Sequence, residues 1–222
     1  MMVIGQCHEV RSHDPAWPLW RYVVMMGRKT GLLFALAAQC AAVLGQASPQ
    51  AQQALYGAGL SMGMAYQLAD DGKEYQIPVQ NWDIGHDWIQ GKMTFPCRVA
   101  YGLWSSSQWQ TFWQWQNRLA QAMSLWQKHP TIKQKNSPVF APALSNEAVD
   151  KNRLSVTLGD VLTPSSREKM ENMVRDLAPG VQATFALQER YVKRGLMAWQ
   201  KATLGPPSSV IRPLFFGHFG QF

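Results

Sequence analysis

Residues 66–74 read Tyr66-Gln67-Leu68-Ala69-Asp70-Asp71-Gly72-Lys73-Glu74, which places three carboxylates within five positions. On a helix Asp70 and Glu74 share a face, and Asp71 lies about 100° round from Asp70. Carboxylates so spaced can offer oxygen to a hard divalent cation such as Mg2+, leaving other coordination positions to water and phosphate. Taken alone, the cluster is equally compatible with solvated side chains at a helix end. Other candidates are weaker. His86 stands beside Asp83 and Asp87 with only a loose metal-site pattern, and Cys7 next to His8 does not make a nucleophile–base pair. Ser105-Ser106-Ser107 has no supporting signature.

The elements that must hold these groups are helical. After the breaker-rich His13-Asp14-Pro15-Ala16-Trp17-Pro18, the composition predicts helix from about Leu19 to Leu44, ending at Gly45. Ser48-Pro49 signals the next start, with serine as cap and proline in the first turn. This second helix is expected to run to about Asp71, carrying the carboxylates at its C-terminal end. Gly57, Gly59 and Gly63 would each weaken it in isolation by about 1 kcal/mol relative to alanine. Their presence marks places where another backbone or a ligand comes close. A loop with Gly72, Pro78, Asn81 and Gly85 follows, and helical patterning returns over Phe95–Gly102, Ser107–Lys128, Ser165–Leu177 and Gln182–Leu204. Trp109 and Trp113 share a helical face that Phe112 and Trp115 widen, a stripe suited first to core packing and second to contact with a partner. Without strand alternation or internal repeats the fold class is all-α. Residues 1–222 are expected to form a single helical domain, with 127–165 as an insertion or loop rich in proline and 166–222 as C-terminal helices and tail.

Composition narrows the function classes. With 46% hydrophobic and 16% charged residues, the 222-residue chain is no disordered polyelectrolyte. Ten Trp and 11 Met imply extensive apolar surfaces, in a core, a groove or a subunit contact. A net charge of +7 suits an anionic partner. There is no dense Lys/Arg block, zinc spacing or nucleic-acid motif, so nucleic acid is not expected. Three scattered cysteines argue against a disulfide framework and for a cytoplasmic location. The apolar stretch Gly31–Gly45 includes Gln39 and is too short for a transmembrane helix.

Four stretches, in order, resemble the trans-isoprenyl diphosphate synthase (polyprenyl synthetase) family. Gly5-Gln6-Cys7-His8-Glu9 is similar to its Gly-Gln-x-x-Asp segment, and Lys29-Thr30-Gly31 to the Lys-Thr-Gly that opens a ligand-facing helix. Gly63 to Asp71 resembles the second aspartate-rich motif. Gly85-His86-Asp87 and Gly91-Lys92-Met93-Thr94-Phe95-Pro96 resemble the segments that follow it. The likeness covers about residues 5–126. It implies part of an isoprenoid-synthase-type helical bundle that condenses isopentenyl diphosphate with an allylic diphosphate, using Mg2+. By resemblance Asp70, Asp71 and Glu74 are the metal ligands, while Lys29 and Lys92 neutralise phosphate. Thr30 adds a hydroxyl contact, Gln67 lies near the diphosphate or the position of proton loss, and Tyr66 lines the hydrocarbon cavity. Gln6 suits a structural hydrogen bond at least as well as a ligand contact.

Two departures stand out. Glu74 replaces the family's usual aspartate, keeping the charge but lengthening the reach. The family's first aspartate-rich motif precedes the Gly-Gln segment, and here Met1 stands four residues before Gly5. The expectation is a prenyltransferase portion that works in a homo- or hetero-oligomer with a prenyl synthase subunit. The alternative is a catalytically silent regulatory subunit that pairs through its Trp-rich helices. A third reading is a membrane-surface protein using basic and aromatic residues.

Overall fold

The computed structural model describes Gly5, Glu9, residues 13–75, Asp87, residues 90–128 and residues 164–203. Gln6, Cys7, His8, Asp83 and His86, most of the expected 127–165 insertion and the tail lie outside the described residues. Among those described there is no strand. The helices are α1 (Leu19–Met26), α2 (Leu32–Leu44), α3 (Pro49–Lys73), α4 (Phe95–Tyr101), α5 (Ser106–Lys128), α6 (Pro164–Asp176) and α7 (Ala178–Thr203). The chain divides into two compact units, one of residues 1–73 with 181–222, the other of residues 74–180.

Helix boundaries follow the sequence signals closely, with two informative differences. The expected run from Leu19 to Leu44 is interrupted by one π-helical turn, Gly27–Gly31, between α1 and α2. Such a turn breaks the regular spacing of a helix and turns its side chains out of register. Helix α7 starts at Ala178, earlier than Gln182. Pro179 is accommodated in the first turn, where an N–H would have no intrahelical partner. Gly180 is required there because a Cβ would strike the backbone of Pro96.

In the first unit the core is formed by Tyr22, Met25 and Met26 of α1, Ala35 and Ala42 of α2, and Ala58, Met62, Met64, Ala65 and Leu68 of α3. Helix α3 meets α2 through its glycines. A Cβ on Gly59 would collide with the backbone of Phe34 and Ala35. One on Gly63 would lie 2.8 Å from Gly31 Cα and 3.0 Å from the Thr30 carbonyl oxygen. The helix propensity lost at these glycines is thus offset by backbone-to-backbone approach. That approach brings the π turn onto the carboxylate-bearing end of α3. Gly57, by contrast, faces open space.

In the second unit Met93, Phe95, Cys97, Phe112, Trp115, Met173, Val174 and Leu177 are buried. The aromatic stripe of α5 packs as a ring cluster: Trp109 stacks on Phe112 at 5.2 Å, and Trp113 and Tyr101 meet Trp109 edge-on at 5.6 and 4.6 Å. The structure therefore uses that stripe for packing. No helix among the described residues is long and apolar enough to cross a membrane.

Candidate active site

The π turn and α3 together assemble a hydrogen-bonded string of four side chains. Thr30 Oγ1 donates to Gln67 Oε1 at 2.8 Å. Gln67 Nε2 donates to Asp71 Oδ1, one helical turn on, at 3.0 Å. Tyr22 OH, from α1, donates to Asp71 Oδ2 at 2.8 Å. Asp71 is 1% exposed, so its charge is sheltered from water and depends on such donors.

Its neighbour Asp70 has a different environment. The Asp70 side chain is 39% exposed and pairs with Lys73 at 2.5 Å across one turn. Helix α3 ends at Lys73, so Glu74 follows the last helical residue rather than completing a helical face with Asp70. Glu74 Oε1 lies 3.5 Å from the Asp87 backbone nitrogen.

Both lysines singled out in the sequence are held by carboxylates from the same motif set. In the first unit Lys29, on the π turn, meets Glu9 at 2.5 Å. In the second unit Lys92 meets Asp87 at 2.6 Å, and its backbone N–H donates to the Asp87 carbonyl at 2.8 Å. Gly91, at φ 74°, supplies the turn that a side-chain-bearing residue would resist. Thr94 begins α4, and its buried hydroxyl lies 3.1 Å from Tyr75 OH. Tyr75 OH is also 3.1 Å from Cys97 Sγ. Burial first, and Cys97 second, push the Tyr75 phenol well above its ordinary range.

Tyr66 is 49% exposed and sets its ring 5.7 Å from that of Phe34. Phe34 belongs to the wall of a cavity of about 620 Å3, shared with Leu33 and Ala38 of α2, Ala58 and Met62 of α3, and Trp199 of α7. Tyr66 itself stands outside that wall.

The site thus joins Lys29, Thr30, Gln67, Asp70 and Asp71 on neighbouring elements of one unit. Lys92 and Glu74 belong to the other. Sequence reasoning overlooked Tyr22, and it quoted Glu9 and Asp87 in their motifs without pairing them with the lysines. The i,i+4 spacing of Gln67 and Asp71 was a local signal for their hydrogen bond. Tyr22 carried no such mark beyond being a tyrosine in an apolar run, where a phenol needs a partner.

Residues 1–125 match the polyprenyl synthetase family, more than half of the chain. The chain belongs to that family. It is 34% identical over 103 residues to heptaprenyl diphosphate synthase component 2 of Bacillus subtilis (strain 168), covering 45% of this chain and 29% of that protein. It is 33% identical over 86 residues to octaprenyl diphosphate synthase of Escherichia coli (strain K12), covering 38% of this chain and 27% of the relative. Among solved structures, a geranylgeranyl pyrophosphate synthase superposes with a TM-score of 0.62 at 16% identity, over 98% of this chain and 55% of its own. A decaprenyl diphosphate synthase from Rhodobacter capsulatus does so at 0.59 and 17%, over 96% and 53%. At these identities the superpositions establish the helical fold. The matched stretches take in under a third of the curated relatives' length.

The described residues of this polyprenyl synthetase relative contain no group of three or more His, Cys, Asp or Glu side chains placed to hold a metal. Mg2+ typically needs only one or two protein carboxylates when substrate phosphates and water complete its shell. The accessible carboxylate of Asp70 fits that role.

Proposed function

We propose that this chain supplies one wall of a prenyl-chain elongation site. There isopentenyl diphosphate condenses with an allylic diphosphate in a Mg2+-dependent reaction. In that reaction the allylic C–O bond breaks with loss of diphosphate, the isopentenyl double bond forms the new C–C bond, and a proton leaves the adduct. The reading is carried by the contact of Thr30, next to Lys29 on the π turn, with Gln67, which precedes Asp70 and Asp71 on α3.

Of the motif's acidic residues Asp70 is the one accessible to an incoming ion and takes the ligand role, while Asp71 is buried beside it. Bound Mg2+ would draw negative charge from the departing diphosphate. Lys29 and Lys92 bind phosphate oxygens, each exchanging its present carboxylate partner for the more highly charged ligand. Thr30 and Gln67 face the reacting end of the substrate. Phe34 and Tyr66 border the hydrocarbon, where an apolar wall keeps water from a carbocation.

One carboxylate wall holds Mg2+–diphosphate weakly, so the second wall comes from outside these 222 residues, on the same or another polypeptide. Pairing with a further prenyl synthase component is favoured by the apolar surface of α2. Leu33, Leu36 and Val43 are exposed there, and Leu44 is 85% exposed. A catalytically silent subunit using the same surface is the second reading.

Labelled isopentenyl diphosphate, allylic diphosphates and Mg2+ test the proposal, with the chain alone and with a component bearing a first aspartate-rich motif. Mg2+-dependent product is expected. Asp70→Ala should lower its rate by about 100-fold or more, the loss typical of removing one key electrostatic group. Full product from the Asp70→Ala protein would leave the silent-subunit reading in its place.

A further inference from the structure

Resting on the elongation-site reading, we infer that Asp71 and Tyr22 are a positioning pair that fixes the Gln67 amide and the Thr30 hydroxyl, while Asp70 alone of the adjacent aspartates meets the metal. The two aspartates are neighbours in sequence but opposite in setting. Asp70 is accessible, and its contact is an exposed lysine that can swing away. Asp71 is buried, and each of its oxygens receives a side-chain hydrogen bond. Direct coordination by Asp71 would have to reach a carboxylate that is almost wholly buried and already accepts a hydrogen bond at each oxygen.

Hydrogen-bond directions give the pair its purpose. An ionised carboxylate can only accept, so the Gln67 NH2 group must face Asp71. The Gln67 carbonyl then faces Thr30, and the Thr30 hydroxyl must donate its proton to it. Thr30 Oγ1 is left with lone pairs directed away from that bond. An oxygen in this state suits a neighbouring centre of positive charge and cannot donate to a phosphate. Tyr22 donates from α1 to the other oxygen, Asp71 Oδ2, and holds the carboxylate in place. The buried carboxylate therefore acts at a distance, by choosing which face of Gln67 the π turn meets.

Two measurements on the full chain separate this role from metal ligation and from mere packing. The first is calorimetric titration with Mg2+ and a non-hydrolysable allylic thiolodiphosphate. Asp70→Asn should weaken binding by about tenfold or more, as expected for loss of a charged ligand. Tyr22→Phe and Asp71→Asn should stay within about twofold of the parent, since neither touches the ion in this assignment. A folded Asp71→Asn protein that loses as much affinity as Asp70→Asn would make Asp71 a ligand and overturn the inference.

The second uses no substrate: the Gln67 side-chain amide is followed by 15N NMR, assigned with Gln67→Met. One strongly shifted, slowly exchanging Nε2 proton is expected in the parent and should move in Tyr22→Phe at unchanged melting temperature. A Gln67 signal indifferent to Tyr22→Phe would show that the phenol orients nothing. If the parent binds no Mg2+–thiolodiphosphate either alone or with a component bearing a first aspartate-rich motif, the elongation reading and the metal role of Asp70 fall together. The NMR result still decides whether Tyr22 and Asp71 hold Gln67.

Discussion

The two lysine-bearing turns accomplish a similar local task by different means. Lys29 stands within an otherwise continuous helical run, displaced by one π turn and facing Glu9. Lys92 lies outside any helix, after a glycine at positive φ, and its turn closes on Asp87 through both backbone and side chain. In the first, tertiary contact sets the backbone, since Gly63 lets α3 reach Gly31 and Thr30. In the second, local chain geometry does so, within six residues. A lysine can be pre-placed by long-range packing or by a turn, and the two should fail differently.

The largest effect is expected at the packing-built turn. Gly63→Leu forces a side chain into the Gly31 and Thr30 backbone and should destabilise the protein by about 3 kcal/mol, as overpacking does. Urea denaturation reads this directly, and a change below about 1 kcal/mol would mean that α3 yields easily. Next come the lysines themselves. Lys29→Met and Lys92→Met should each raise the KM for the allylic diphosphate by about tenfold, with a smaller change in kcat. If only one does so, only one turn serves the substrate.

Gly91→Ala sharpens the contrast. It places a Cβ at φ 74°, with an expected cost of about 1 kcal/mol. It should change the KM response at Lys92 while leaving the Thr30–Gln67 contact as it is. The smallest effect lies at alkaline pH. The Tyr75 phenol is raised above its ordinary value near 10, so the folded state holds its proton more tightly than the unfolded state. Its stabilising contribution is complete below pH 10 and declines as pH rises from there toward the folded value. Tyr75→Phe should flatten that part of the curve in melts from pH 9 to 11, over the window set by the ordinary phenol value.

Much of the fold was legible in the chain because its marks are local. Ser48-Pro49 starts α3, Thr94 with Pro96 starts α4, and the periodic Trp and Phe residues define α5. The glycines of α3 also announced a close approach, though not what they would meet. The carboxylate cluster was visible as well, but read as a helical face it put Asp70 with Glu74 and gave Asp71 the same duty as Asp70. The structure ends α3 at Lys73 and buries Asp71 while leaving Asp70 accessible. Adjacent residues on a helix point about 100° apart, so neighbours of identical type can face core and solvent.

Sequence by itself determined that the chain is helical and where most helices begin and end. These depend on caps, breakers and spacings that act within one or two turns. Tertiary structure alone decided which side chains meet and which are buried. Tyr22 and Asp71 are 49 positions apart, and Thr30 and Gln67 are 37 apart. Only the packing of α3 against α1 and the π turn brings them within hydrogen-bond range. Burial, which separates the Asp71 carboxylate from the accessible Asp70, is a property of that packing and of no residue taken alone.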